Sequence, residues 1–131
     1  MMNINKGAAQ KAAKILFTKI GCNCEIAVYA AACFARGIRL KDAVGEAMRC
    51  KSEGGRTVCG ALVGANRVLD AISRPAEKER LTLAFASKFG STMCSDLKLA
   101  NVPDKVRREK CMAFISFALQ ETLEIMKSRE N

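Results

Sequence analysis

From Ile26 to Ala35 almost every residue is apolar, in the order IAVYAAACFA. A helix that is apolar all round has no face for solvent, so this segment belongs at the centre of a fold with other elements packed around it. Asn23 offers an N-cap just before it, Glu25 falls in its first turn, and Gly37 closes it.

The flanking chain supplies amphipathic helices to surround that segment. Ala9, Ala12, Ala13, Leu16 and Ile20 recur at helical spacing, with lysines between them, and Gly21 ends the run. A third helix is expected over about 40–48. After a glycine-containing loop at 50–56, Thr57 caps a fourth, with Val58, Leu62, Ala65, Leu69 and Ile72 as its stripe. Pro75 suits the first position of a fifth helix, whose buried face is Leu81, Ala84, Phe85 and Phe89 and whose terminator is Gly90. A short helical turn is expected at about 94–97. Pro103 opens a last helix to about Lys127, lined on one side by Cys111, Phe114, Ile115, Ala118, Thr122 and Ile125. Alternating strand patterns, hairpin turns, repeats and linkers are absent from the sequence. The expectation is one all-α domain over 1–131, a compact bundle of about five to six helices around a buried second helix. A chain of this length hides roughly two-thirds of its unfolded surface, enough for a core without covalent staples.

Composition narrows the chemistry. There is no histidine, which excludes Ser-His and Cys-His catalysis, di-iron sites built on Glu-x-x-His, and haem held by a histidine of this chain. Apolar runs fall short of the ~18 residues of a membrane span. The lysine-rich start lacks the order of a secretory signal. A transit peptide matches its acid-free, amphipathic character, but the segment has no arginine and runs directly into the first cysteines. The expected location is the cytoplasm. The net charge of +9 is spread over Lys6, Lys11, Lys14 and Lys19 on the first helix and Lys105, Arg107, Arg108 and Lys110 on the last, which is the pattern of two solvated faces. With one Tyr and no Trp, stacking platforms for bases are lacking, so nucleic acid is not the expected partner.

Seven cysteines remain to be explained. Cytosolic thiols are kept reduced, so redox or metal chemistry fits better than a static framework. Cys24, Cys59 and Cys94 each come shortly after a capping residue: Asn23, Thr57 and Thr92. A helix start carries unpaired N–H groups and about half a positive charge, which stabilises the thiolate. Cys111 instead sits within a helix on an apolar stripe. Cys33, inside the apolar segment, is expected to be core packing. Cys50 lies in the loop. Cys22 and Cys24 form a Cys-x-Cys pair able to share a metal, although zinc sites favour Cys-x2-Cys.

The same positions carry a resemblance. Gly21-Cys-Asn-Cys24-Glu-Ile-Ala-Val28, Cys59-Gly-Ala-Leu-Val-Gly64, Phe89-Gly-Ser-Thr-Met-Cys94-Ser-Asp-Leu97 and Cys111 before an apolar last helix resemble, in order, the motifs of the redox-active protein family named for the cysteine pattern C…GCAxxG…C…C. The resemblance spans roughly 16–126. It implies an all-helical fold and a redox or metal-linked role, with Cys24, Cys59, Cys94 and Cys111 as functional cysteines and Gly60 and Gly64 as close-packing or cofactor-side glycines. Many members carry a Gly-rich Phe-Gly-Gly-Gly-like stretch before the central motif. Here Met48-Arg-Cys-Lys-Ser-Glu53 stands ahead of Gly54-Gly55, so a cavity shaped by that stretch would differ, with Cys50 in its place.

Three functions are expected in turn. The first is a thiol–disulfide or electron-transfer protein, with Cys24 and Cys59 as the best pair, Cys94 and Cys111 as a second pair or relay, and a redox partner protein. The second is an iron–sulfur cluster or zinc held by Cys24, Cys59, Cys94 and Cys111, with Cys22 as a further ligand. The third is a basic binding module or homodimer using the apolar second or last helix.

Overall fold

The computed structural model describes residues 5–49, 58–93 and 103–128. Within them the chain forms six α-helices: α1 Lys6–Ile15, α2 Cys24–Ala35, α3 Leu40–Arg49, α4 Gly60–Ala71, α5 Glu77–Phe89 and α6 Asp104–Ser128. The expected 50–56 loop and the helical turn at 94–97 lie outside the described residues, as do Cys50, Thr57 and Cys94; α4 takes Cys59 as its N-cap in place of the expected Thr57. No strand occurs among the described residues; an isolated antiparallel bridge joins Val58 to Met93.

Helix α2 is the axle. Residues Glu25 to Cys33 are all buried, and α1, α3, α4 and α6 pack on it. Its start is fixed as the sequence requires: Asn23 Oδ1 accepts the Ile26 N–H at 2.9 Å. Gly37, at φ 98°, lies just past its C-terminal end. The stripes of α4 (Leu62, Ala65, Leu69) and α6 (Phe114, Ile115, Ala118) join the same core cluster. Phe85, Phe89, Phe114 and Phe117 form a tilted and edge-to-face group between α5 and α6, with Phe89 and Phe114 centroids 4.7 Å apart. Thr122, buried in α6, donates to the Ala118 carbonyl at 2.7 Å, so its hydroxyl needs no distant partner. Gln10 donates to the Ser116 carbonyl at 2.9 Å and Lys6 pairs with Glu124, fastening α1 along α6.

Three expectations need correction. Helical spacing puts Ile20 on the buried face of the first helix, but it is 65 % exposed while Leu16 is 3 % exposed. Leu16–Ile20 forms a π turn. Its i→i+5 bonding inserts one extra residue, which rotates the next residues by about 100° off the α register. Ile20 therefore leaves the stripe and lines an open apolar groove of about 310 Å³ with Ile15, Leu16, Leu40, Lys41 and Val44. Helix α5 also starts at Glu77, two residues later than Pro75 suggests. Ser73 adopts φ 62° and Arg74 donates to the Leu69 carbonyl at 2.7 Å, so Pro75 is used in a turn. Ala84 and Phe89, expected in the buried face, are half-buried.

Candidate thiol site

The π turn sets the geometry of the first cysteines. Gly21, at φ 89°, and Cys22 both donate to the Leu16 carbonyl, Cys22 at 2.9 Å, which turns the chain sharply into Asn23. Cys24 becomes the first residue of α2, at the positive end of a 12-residue helix. Cys111 comes to it from α6. The Cys24 thiol donates a hydrogen bond to the Cys111 sulfur, and this contact lowers the Cys111 thiol to about 7. Partial burial opposes that shift; the guanidinium groups of Arg107 and Arg108 add to it. Both arginines lie one helical turn before Cys111, at the i−4 and i−3 positions that share its face. Arg108 is held over the Phe17 ring, 5.4 Å from its centroid, and Arg107 is paired with Asp104. A thiol lowered in this way carries far more thiolate at neutral pH than an ordinary cysteine, which has only a few per cent.

The other cysteines have different surroundings. Cys22 is half-buried, and burial pushes its thiol up. Cys33 is buried in α2, as packing requires. Desolvation raises its thiol, opposed by Arg36, by a hydrogen bond with Tyr29 and by Arg67. Cys59 occupies the N-cap of α4 without a capping side-chain bond, and its N–H donates to the Thr92 carbonyl at 2.8 Å. It is only 2 % exposed. The sequence favours Cys24 with Cys59 as a pair, whereas the thiol that shapes Cys111 is Cys24.

Gly64 brings α4 onto the start of α2. A β-carbon there would lie 2.5 Å from the Glu25 carbonyl oxygen, so only glycine allows this approach. Gly60, one turn earlier, is buried too. Cys59 is five residues from the crossing, about 7.5 Å along the helix axis, and Cys24 adjoins Glu25. Gly64 thus seats α4 directly on the backbone beside Cys24.

Sequence reasoning missed what lies beneath Cys24. The sequence marks Glu25 only as a first-turn charge for the helix dipole. Its side chain is 0 % exposed and takes a 2.6 Å ion pair from Arg67 of α4. The Arg67 guanidinium also donates to the Ala47 carbonyl at 3.3 Å and stacks 4.3 Å from the Tyr29 centroid. One side chain thereby ties α4, α3 and α2 together. The available signal was an acidic residue beside an otherwise apolar run and an arginine within the apolar α4. Arg107 and Arg108 likewise read as part of a solvated face, although their spacing from Cys111 is visible in the sequence.

Among the described residues, no three Cys, Asp or Glu side chains gather where they could hold a metal ion. Cys94, the fourth cysteine of the expected metal centre, lies outside the described residues. No helix among them is long and apolar enough to cross a membrane. Compared with protein-family models, curated proteins and solved structures, the chain finds no match in any of the three.

Proposed function

We propose that the chain is a cytoplasmic thiol–disulfide redox protein, related to the C…GCAxxG…C…C family, in which Cys111 is the attacking thiolate and Cys24 the resolving thiol. The observation that carries this reading is the Cys24–Cys111 contact beside two arginines. A nucleophilic thiol works best with its pKa near the ambient pH, where thiolate is abundant and still reactive. The lowered Cys111 thiol meets that condition. Attack by Cys111 on a disulfide gives a mixed disulfide. Cys24, already within hydrogen-bonding reach, then displaces the bound half, and the two sulfurs close to about 2.05 Å. The reverse sequence reduces the protein through a thiol donor, the role of a redox partner protein. Cys59 is too deeply buried to meet a partner without opening, so it acts after the Cys24–Cys111 pair or as packing.

Mild oxidation and then peptide mapping test the assignment. The expected result is loss of two free thiols in an intact monomer, with Cys24 and Cys111 joined, and no such loss in Cys111→Ser. Full retention of both thiols under conditions that oxidise a small dithiol would overturn it.

A further inference from the structure

We infer that the thiol pair selects anionic low-molecular-weight disulfides as its oxidants, because Arg107 and Arg108 stand on the approach to the Cys111 sulfur. The inference rests on the redox reading above and adds the substrate class. Arg107 and Arg108 lie one turn from Cys111 on the same face of α6. Lys105 and Lys110 are exposed on the same helix. Asp104 pairs with Arg107 and offsets part of its charge, whereas Glu109 sits two positions from Cys111, where side chains do not face each other, so Arg108 carries most of this field. Arg108, braced on Phe17, is held in place rather than swinging freely in solvent. A disulfide carrying carboxylates close to its sulfurs, of the glutathione disulfide class, would place those carboxylates against the guanidinium groups while Cys111 meets a sulfur.

The exchange balances. The Cys111 thiolate attacks RS–SR, forming a Cys111–SR bond and releasing RS⁻. The Cys24 thiol then attacks the Cys111 sulfur, the Cys24–Cys111 bond forms, and the second RS⁻ leaves with the Cys24 proton. Two protein thiols are oxidised and one external disulfide is reduced to two thiols.

The experiment measures formation of the Cys24–Cys111 disulfide in the reduced full-length chain, by acid quench and peptide mass spectrometry. Three oxidants are compared: glutathione disulfide (anionic), hydroxyethyl disulfide (neutral) and cystamine (cationic). Each rate is divided by that of a neutral single-cysteine peptide, which removes differences in leaving-thiol reactivity. One charge at ~6 Å in water changes an encounter by about threefold, so Arg108, with Arg107 partly offset by Asp104, favours the anion by about three- to fivefold over the neutral oxidant at low salt. That preference shrinks as salt rises. In R107Q/R108Q the anion-to-cation ratio falls toward one, and in R107K/R108K most of it returns. Loss of thiolate in the glutamine variant slows all three oxidants alike, so the ratio isolates recognition. A wild-type ratio near one, or a ratio unchanged in R107Q/R108Q, overturns the inference and leaves the redox reading standing. Absence of the Cys24–Cys111 disulfide with every oxidant overturns both.

Discussion

Replacing Gly64 with alanine places a methyl group 2.5 Å from the Glu25 carbonyl oxygen, 3.1 Å from its Cα and 3.2 Å from its carbonyl carbon. All three are backbone atoms, so no rotamer change relieves the clash. An ordinary C···O contact is about 3.3 Å, and relief requires α2 and α4 to part locally by about 0.8 Å. Overpacking of this kind costs about 1–3 kcal/mol. The upper end applies because parting the helices also stretches the 2.6 Å Arg67–Glu25 ion pair. Against this stands the gain of about 1 kcal/mol from replacing a mid-helix glycine by alanine. The net expectation for Gly64→Ala is a loss of about 2 kcal/mol, a fall in Tm of roughly 7 °C for a chain of this size. Gly45 provides the matched control. It lies inside α3 with nothing within 4 Å of its notional β-carbon, so Gly45→Ala keeps the propensity gain without the clash and stabilises by about 0.5–1 kcal/mol. Urea unfolding of both variants reads the difference directly, as midpoints displaced in opposite directions with unchanged slopes. A Gly64→Ala protein at or above the native midpoint would refute the close approach, and with it the argument that glycine seats α4 on the start of α2.

Truncating Arg67 to alanine leaves the Glu25 carboxylate buried without its guanidinium, which costs about 3–5 kcal/mol; the double variant Glu25→Leu/Arg67→Met recovers much of that loss in the same unfolding assay. Alkylation of Cys111 by iodoacetamide, tracked peptide by peptide, is expected to rise with pH with a midpoint of about 7, and the midpoint moves upward in Cys24→Ala. Because the folded-state value lies below the unfolded one, thiolate formation at Cys111 adds stability that grows from about pH 7 to about pH 9 and vanishes below that window. Allowing for solvent screening at a half-exposed group, this amounts to about 1 kcal/mol between the native chain and Cys111→Ser; a difference that stays flat across the window would refute it. Ile20→Asn is expected to change stability by less than about 0.5 kcal/mol, whereas Leu16→Ala costs about 2–5 kcal/mol. Equal losses at the two positions would contradict the register shift at the π turn.

The sequence makes legible whatever depends on local pattern. The apolar Ile26–Ala35 run states its own burial, and Asn23, Gly21 and Gly90 mark helix ends where the backbone needs a cap or a positive φ. The α6 stripe from Phe114 through Ile125 is buried as its spacing requires. What escaped were events that periodicity assumes away or that link distant segments. A π turn breaks the 3.6 register without any glycine or proline inside it to announce it, so regular spacing puts Ile20 on the wrong face. The Glu25–Arg67 pair and the Cys24–Cys111 contact each join residues on different helices, and no local pattern encodes which helix meets which. Gly64 lies between these cases: the motif made it conspicuous, while its reason, a carbonyl 2.5 Å from the missing β-carbon, is a tertiary fact.

These features converge on one short stretch, Asn23 to Glu25, and the convergence has a mechanical sense. A thiol pair that cycles between hydrogen-bonded and bonded states must let its sulfurs approach without dragging the fold with them. Asn23 holds the backbone on one side of Cys24 through its cap. On the other side Glu25 is pinned by Arg67 from within and by Gly64 against its carbonyl. The Cα of Cys24 is therefore set by its neighbours and independent of the state of its sulfur. Closure then falls to the side-chain torsions of Cys24 and Cys111 and to small shifts of the first two turns of α6, whose residues before Cys111 are almost all exposed. On the proposed redox reading, the same asymmetry suits a division of labour. The rigidly mounted Cys24 suits the resolving step, which needs a fixed short reach, while Cys111, on the more open element and beside the arginines, suits first contact with an incoming disulfide.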